Sequence, residues 1–208
     1  MTVISIHIPK TAGTSFRYVL QEQFGQNLFL DYDDRQGTAE LPTELPEAPR
    51  CIHGHFRPEK YLGQLSSPKW ITWLREPAQR VVSQYHQHLN HPEPDNPLIR
   101  KYFVDRRISL QTYISFSHFQ NQMAREITPL AVEDFFFIGF TEQFDRSLQQ
   151  LSSLLDINLH SPVVMENRSK DKTGSLWRID PETHMQIREY NRQDYALYFS
   201  AMDRFWCP

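Results

Sequence analysis

Nothing in the chain restricts its fold more than residues 3 to 25. Val3-Ile4-Ser5-Ile6-His7-Ile8 is rich in β-branched residues and partly alternating, which predicts a buried strand that stops at Pro9. Lys10-Thr11-Ala12-Gly13-Thr14-Ser15 follows, and beyond it Phe16, Val19, Leu20 and Phe24 recur at the spacing of one helical face. Gly25 stands where that helix should end. A strand, a short loop and a helix turn free backbone N–H groups and the positive end of the helix dipole towards one point, where phosphate or sulfate binds best. Lys10 can set a point charge against the anion, Gly13 permits close backbone approach, and Thr11, Thr14 and Ser15 carry hydroxyls that can add hydrogen bonds. The same hexapeptide also suits an ordinary polar turn capped by Thr or Ser. It is not the Walker A arrangement, in which lysine follows the second glycine and opens the helix, because Lys10 precedes Gly13.

A second strand-to-helix passage lies further on. Lys69 to Leu74 is an apolar run of the kind buried inside a parallel sheet, and Pro77 opens a helix with Val81, Val82 and Tyr85 inward. Arg75 then falls at the strand's carboxyl end and Ser83 two turns into the helix, so guanidinium donors and a hydroxyl can grip one phosphate. Alone, Arg75 would equally pair with Glu76 or cap a neighbouring helix. Between the two passages, Arg50 to Phe56 reads as a brief strand ending in His53-Gly54-His55. Two histidines are too few for zinc, and no carboxylate or cysteine follows closely. A general base fits better, since imidazole can take a proton from an alcohol near neutrality and later release it. A turn with two solvated histidines would look the same.

Pro9-Lys10-Thr11-Ala12-Gly13-Thr14-Ser15-Phe16 after a strand, His53-x-His55, and Arg75-Glu76-Pro77 with Arg80 and Ser83 resemble the motifs of one enzyme family. These are the sulfotransferases that use 3′-phosphoadenosine 5′-phosphosulfate (PAPS), especially the carbohydrate type related to heparan sulfate 2-O-sulfotransferase. The resemblance implies that Lys10, Thr11, Ala12, Gly13, Thr14 and Ser15 hold the phosphosulfate, and that Arg75 and Ser83 hold the 3′-phosphate. It makes His55 the base for the acceptor hydroxyl, with His53 supporting the site or the acceptor. The family usually carries Asp where Glu76 stands, a mild departure because that side chain is not expected to face the phosphate. Asn167-Arg168-Ser169-Lys170 resembles a late basic loop that folds over the nucleotide, so Arg168 and Lys170 are expected to clamp PAPS, although an exposed loop reads alike. Asn121 to Arg125 is similar to a polar segment near the family's acceptor cleft, which makes Arg125 a candidate beside the plainer reading of an exposed helix arginine. The implied reaction moves a sulfuryl group from PAPS to a hydroxyl of a carbohydrate or other small alcohol, without a metal.

Three rivals stand beside it. A small-molecule kinase is disfavoured by the position of Lys10 and by the lack of a clear magnesium-binding Asp at a later strand end. The others are a non-catalytic nucleotide-binding protein of the same fold and a metal hydrolase using His53, His55 and the histidines near 88.

A third apolar strand, Phe135 to Gly139, precedes a helix capped by Thr141 and carrying Phe144, Leu148, Leu151 and Leu155. Three such units in 208 residues imply a single α/β domain over 1–208, P-loop-like, with a central parallel sheet flanked by helices on both faces. Ligands in these folds bind at the strands' carboxyl ends, so Lys10, His55 and Arg75 should converge. A net charge of -3 and a pI near 6.3 leave no global field for nucleic acid, so any anion site is local. The chain starts with a strand and has no apolar run near the ~20 residues that span a bilayer, which predicts a cytoplasmic protein without membrane contact. Cys51 and Cys207 are too few for a disulfide framework and are expected as free thiols. Further expectations are a proline-dense surface loop over residues 33–49, packed aromatics at Tyr113, Phe116 and Phe119, and a solvated helix end at His88 and His91 before Pro92. A final helix should be capped by Asp180, start at Pro181 and run to about Phe205.

Overall fold

The structure is a computed structural model that describes residues 2–32, 51–91, 96–160, 172–173 and 176–206. Its main strands are β1 (Val3–Ile6), β2 (Leu28–Asp31), β3 (Cys51–Gly54), β4 (Lys69–Leu74) and β5 (Phe137–Phe140). They form one sheet in the order β2-β3-β1-β4-β5, with every pairing parallel. β1 is central, and β3 and β4 flank it. The helices are α1 (Gly13–Phe24), α2 (Pro77–Asn90), α3 (Pro97–Ile99), α4 (Leu110–Ser115), α5 (Gln122–Ile127), α6 (Phe144–Leu155), α7 (Pro181–Tyr190) and α8 (Arg192–Phe205).

Both faces of the sheet are covered, which is why its strands read as continuous apolar runs. On one face, Phe16, Val19 and Leu20 of α1 and Phe144, Leu148 and Leu151 of α6 pack against Val3, Ile71, Trp73 and Phe137. On the other, Met123 and Ile127 of α5 and Leu197 and Ala201 of α8 pack against Ile4, Ile6, Ile52 and Ile138. A third cluster joins α2, α4 and α7 through Val81, Val82, Tyr113 and Ile187. A short ribbon, β6 (Lys172–Thr173) with β7 (Leu176–Trp177), returns the chain onto α2. There Trp177 N–H donates to Gln79 Oε1 (2.7 Å), Gln79 Nε2 donates to Trp177 O (3.0 Å), and the His86 ring stacks on the indole at 4.1 Å.

α1 does end at Gly25, whose φ of 50° lies in the left-handed region that glycine adopts readily. Three expectations need correction. Thr141 caps no helix; its hydroxyl donates to Leu74 O (3.0 Å), and α6 starts three residues later. The final helix is two helices. Asp180 caps the first by accepting from Thr183 N–H, but the buried Asn191 donates its amide to Ile187 O (2.9 Å) and accepts from Asn121 N–H, and it is the N-cap from which α8 starts afresh. α5 and α8 then cap each other: Asn121 Oδ1 accepts from Gln193 and Asp194 N–H, while Asp194 Oδ1 accepts from Ala124 N–H. Caps of this kind contribute about 1 kcal/mol each.

His88 is the third correction. It is buried among Phe103, Tyr113 and Phe119, with Gln84 Nε2 3.0 Å from its Nε2, because α4 and the turn after α3 cover that side of α2; only His91 is exposed. Tyr113 and Phe119 are buried as expected, and Phe116 is half-buried. Cys51 is a buried free thiol. The loop at 33–49, Pro92 and Cys207 lie outside the described residues. Among the described residues, no helix is long and apolar enough to cross a membrane.

Candidate active site

β1 delivers the chain to the carboxyl edge of the sheet, where residues 7 to 12 turn it into α1. Lys10 (φ 70°) and Ala12 (φ 65°) both lie in the left-handed region, at a cost of about 1–2 kcal/mol each for a residue with a side chain. Tertiary bonds hold the loop in this shape. Thr11 Oγ1 donates to Ile8 O (2.9 Å), and Arg75 Nη1 donates to Lys10 O (3.3 Å). The N-cap is Ala12, and no side chain caps the helix. The N–H groups of its first turn therefore have no intrahelical acceptor and face outward at the positive end of the dipole. A merely capped turn at Thr or Ser is excluded. Thr11, however, is buried with its hydroxyl proton committed to Ile8, so only Thr14 and Ser15 present hydroxyls at the opening of the helix.

Gly13 serves a neighbour as well as the loop. A Cβ there would lie 1.8 Å from His7 Cδ2, so only glycine lets the His7 ring lie against the start of α1. That ring is part of a stack set by strand register. Ser5 is level with His53 and Ile6 with Gly54, and His7 N–H donates to Gly54 O (2.8 Å), which extends the ladder by one residue. Neighbouring strands run about 4.8 Å apart, so level side chains on one face must touch. The His7 and His55 rings stack at 4.2 Å and 23°, and His53 lies at 5.2 Å and 15° from His7. Ser5 Oγ is 2.8 Å from His53 Nδ1. His55 Nδ1 is 2.6 Å from His7 O. A carbonyl only accepts, so His55 Nδ1 carries a proton, and in the neutral ring Nε2 is the basic nitrogen.

Tyr32, just past β2, stands edge-on to His55 and places its Oη 3.0 Å from His7 Nδ1. The Arg17 guanidinium of α1 lies over the Tyr32 ring, 5.9 Å from its centroid. β2 is itself anchored at Asp31, which accepts from Lys60 Nζ and Tyr61 Oη at 2.8 Å each in a buried network. Burial pulls His53 down to about 3, with His55 adding to the effect. Burial also holds His7 far below the usual imidazole value, reinforced by His55, His53, Arg17 and Lys10. Both rings stay neutral. His53 is the buried member of the three, and His7 and His55 are partly exposed.

The opposite flank of β1 is built from fixed charge. Arg75 is buried at the end of β4; its Nη1 reaches the Lys10 carbonyl, its Nε lies 3.9 Å from Glu142 Oε1, and Nε has no hydrogen-bond acceptor. Burial pulls this guanidinium below its ordinary value, and Glu142 and Glu76 pull it back. A buried, incompletely paired cation is a place where an added anion is stabilising. Glu76 points elsewhere: Oε2 caps α2 by accepting from Gln79 N–H (2.8 Å), and Oε1 accepts from Tyr195 Oη (2.6 Å). This fits the mildness expected of the Asp-to-Glu departure. Arg80, one turn into α2, is buried with Nε 3.9 Å from Asp194 Oδ2. Ser83 is buried on α2, and Gln87, on the same face one turn later, accepts from Lys10 Nζ (3.2 Å).

Lys10, His55 and Arg75 thus gather about one loop, with Ser83 on the helix face that Lys10 reaches. His53 sits behind, against Ser5 and His7. Arg125 is exposed, and its Nη1 donates to His118 O (3.1 Å). Arg168 and Lys170 lie outside the described residues. Residue reading missed His7, Tyr32, Arg17 and Gln87. One signal was available for His7: with β1 beside β3, a Ser-x-His step level with a His-x-His step places all four on one face. No group of three His, Cys, Asp or Glu among the described residues is arranged to hold a metal ion.

The family model of the sulfotransferase family (Sulfotransfer_2) matches residues 2–200. No curated protein matches the chain. Among solved structures, a mouse sulfotransferase complexed with PAP, SULT7A1, is 14% identical with a TM-score of 0.49, over 97% of this chain and 88% of that one. A sulfotransferase from Alicyclobacillus acidocaldarius is 13% identical with a TM-score of 0.47, over 98% and 96%. At identities and scores of this size, assignment rests on the family match.

Proposed function

The chain belongs to the sulfotransferase family, and we propose that it moves a sulfuryl group from PAPS to the hydroxyl of a carbohydrate or other small alcohol, with His55 as the general base. One observation carries the reading: the short segment from His7 to Lys10 bonds through its own carbonyls to both His55 and Arg75, so a base and a buried cation flank a single uncapped helix start.

In this reading the 5′-phosphosulfate sits at the first turn of α1, on the N–H groups of Gly13, Thr14 and Ser15 and the hydroxyls of Thr14 and Ser15. Ala12 sets the turn, and Thr11 keeps it in shape. Arg75 and Ser83 take the 3′-phosphate, the guanidinium gaining the anion that its incomplete pairing leaves room for. His55 Nε2 removes the acceptor proton as the acceptor oxygen forms its bond to sulfur. The bond from sulfur to the bridging phosphate oxygen breaks, and Lys10 with the first-turn N–H groups stabilises the charge left on that oxygen. His53 stays neutral behind His7 and supports the cluster without exchanging protons.

Incubating the protein with 35S-labelled PAPS and a panel of sugars, phenols and other alcohols tests this directly. Labelled product on one class of acceptor is expected. Consumption of ATP with phosphorylated product, and no transfer from PAPS, would move the chain's activity to phosphoryl transfer.

A further inference from the structure

We infer that His7 is a positioning residue for His55: its ring and its carbonyl together hold the base in one orientation and one tautomer. The inference rests on the assignment of His55 as the base.

Two contacts fix His55 from two directions. The His7 carbonyl takes the Nδ1 proton at 2.6 Å, which sets the edge of the ring, and the His7 imidazole lies against its face at 4.2 Å and 23°, which sets the plane. His7 is itself over-determined. Tyr32 Oη bonds its Nδ1, the His53 ring lies beyond it, and the missing Cβ of Gly13 provides the space it fills.

Whichever of the two supplies the proton in the bond between Tyr32 Oη and His7 Nδ1, the His7 ring is neutral. Among the described residues, the groups facing His7 are His53 and His55 from β3 and its end, Tyr32 from beyond β2, Arg17 from α1 and Lys10 from its own loop. None is a carboxylate, so nothing in this shell favours a charged His7. When His55 takes the acceptor proton, its imidazolium therefore rests on a neutral aromatic face and not beside a second cation. A base held in this way stays aligned with the acceptor hydroxyl, and misplacement by about 1 Å can lower a rate by about a hundredfold.

The test uses two variants of the whole chain. His7→Asn keeps a polar group for Tyr32 and removes the ring; Tyr32→Phe keeps the packing and removes the bond to His7. For His7→Asn we expect kcat to fall roughly tenfold or more with KM for PAPS unchanged. In 15N spectra of the imidazoles, the single Nδ1–H tautomer of His55 should give way to a mixture. Tyr32→Phe should show the same pattern at about threefold, and it decides the matter if His7→Asn does not fold. Wild-type kcat with an unchanged tautomer overturns the inference. So does a loss confined to KM for PAPS, which would make His7 a support of the phosphosulfate loop through Gly13. The spectra need no turnover, so they judge the hold on His55 even if wild-type protein fails to transfer from PAPS, an outcome that would count against the proposed function alone.

Discussion

The two flanks of β1 face the same edge of the sheet and are built from opposite materials. On the β3 side, three imidazoles and a phenol are stacked and hydrogen-bonded, with His7 and His53 kept neutral by burial. On the β4 side, Arg75 and Arg80 are buried guanidinium groups whose nearest carboxylates, Glu142 and Asp194, stand 3.9 Å off. Neutral stacked rings can pass or hold a proton with little electrostatic reorganisation, whereas a guanidinium cannot be deprotonated and can only attract charge. In the proposed reaction, the contrast separates proton transfer from anion holding by the width of one strand. It also accounts for the position of the loop: among the described strands, β1 alone pairs with both β3 and β4.

Substitutions on the two flanks should accordingly fail in different ways. The largest effect is expected for His55→Ala, which should lower kcat by about 10²–10⁴ while leaving PAPS affinity nearly intact. Steady-state kinetics with a separate binding titration check this, and a matching loss of affinity would erase the distinction between the flanks. Arg75→Ala should do the reverse, weakening PAPS by roughly 10–100-fold through loss of a charge-assisted contact, with far less effect on a nucleotide that lacks the 3′-phosphate. Equal weakening of both nucleotides would remove Arg75 from that role.

The smallest effect concerns stability. His53 is held at about 3 in the folded protein and returns to about 6.5 on unfolding, so between those values the unfolded chain binds the extra proton. Stability should therefore fall as pH drops below about 6.5, by up to about 1.4 kcal/mol per pH unit from this group, with His7 acting in the same direction. Denaturant titrations from pH 7 to pH 4.5 should show that slope in wild-type protein and a flatter one in His53→Gln. Identical slopes would mean that the imidazole flank is not kept neutral.

Much of the guanidinium flank and its loop was legible in the residues, because its signals are local. A strand running into Lys10 to Ser15, and another into Arg75 and Pro77, announce themselves within a dozen positions each. The helix stop at Gly25 and the cap at Asp180 follow from short-range chemistry as well. The imidazole flank was only half visible. His53-Gly54-His55 stood out, but His7, Tyr32 and Arg17 join it through contacts that span 48, 25 and fewer positions and leave no periodic trace. Gly13 shows the same limit, since its closest constraint is a ring from the preceding strand. The break at Asn191 and the burial of His88 were hidden for a related reason. Both depend on partners, Asn121 and Phe103, that only the folded chain brings near.

A crystal structure of the protein with 3′-phosphoadenosine 5′-phosphate tests the central claim most directly. The account predicts the 5′-phosphate on Lys10 and the first-turn N–H groups of α1, the 3′-phosphate within hydrogen-bond reach of Arg75 and Ser83, and His55 Nε2 facing the open side of the 5′-phosphate. A nucleotide bound with its phosphates exchanged, or seated away from the carboxyl edge of β1, would contradict it.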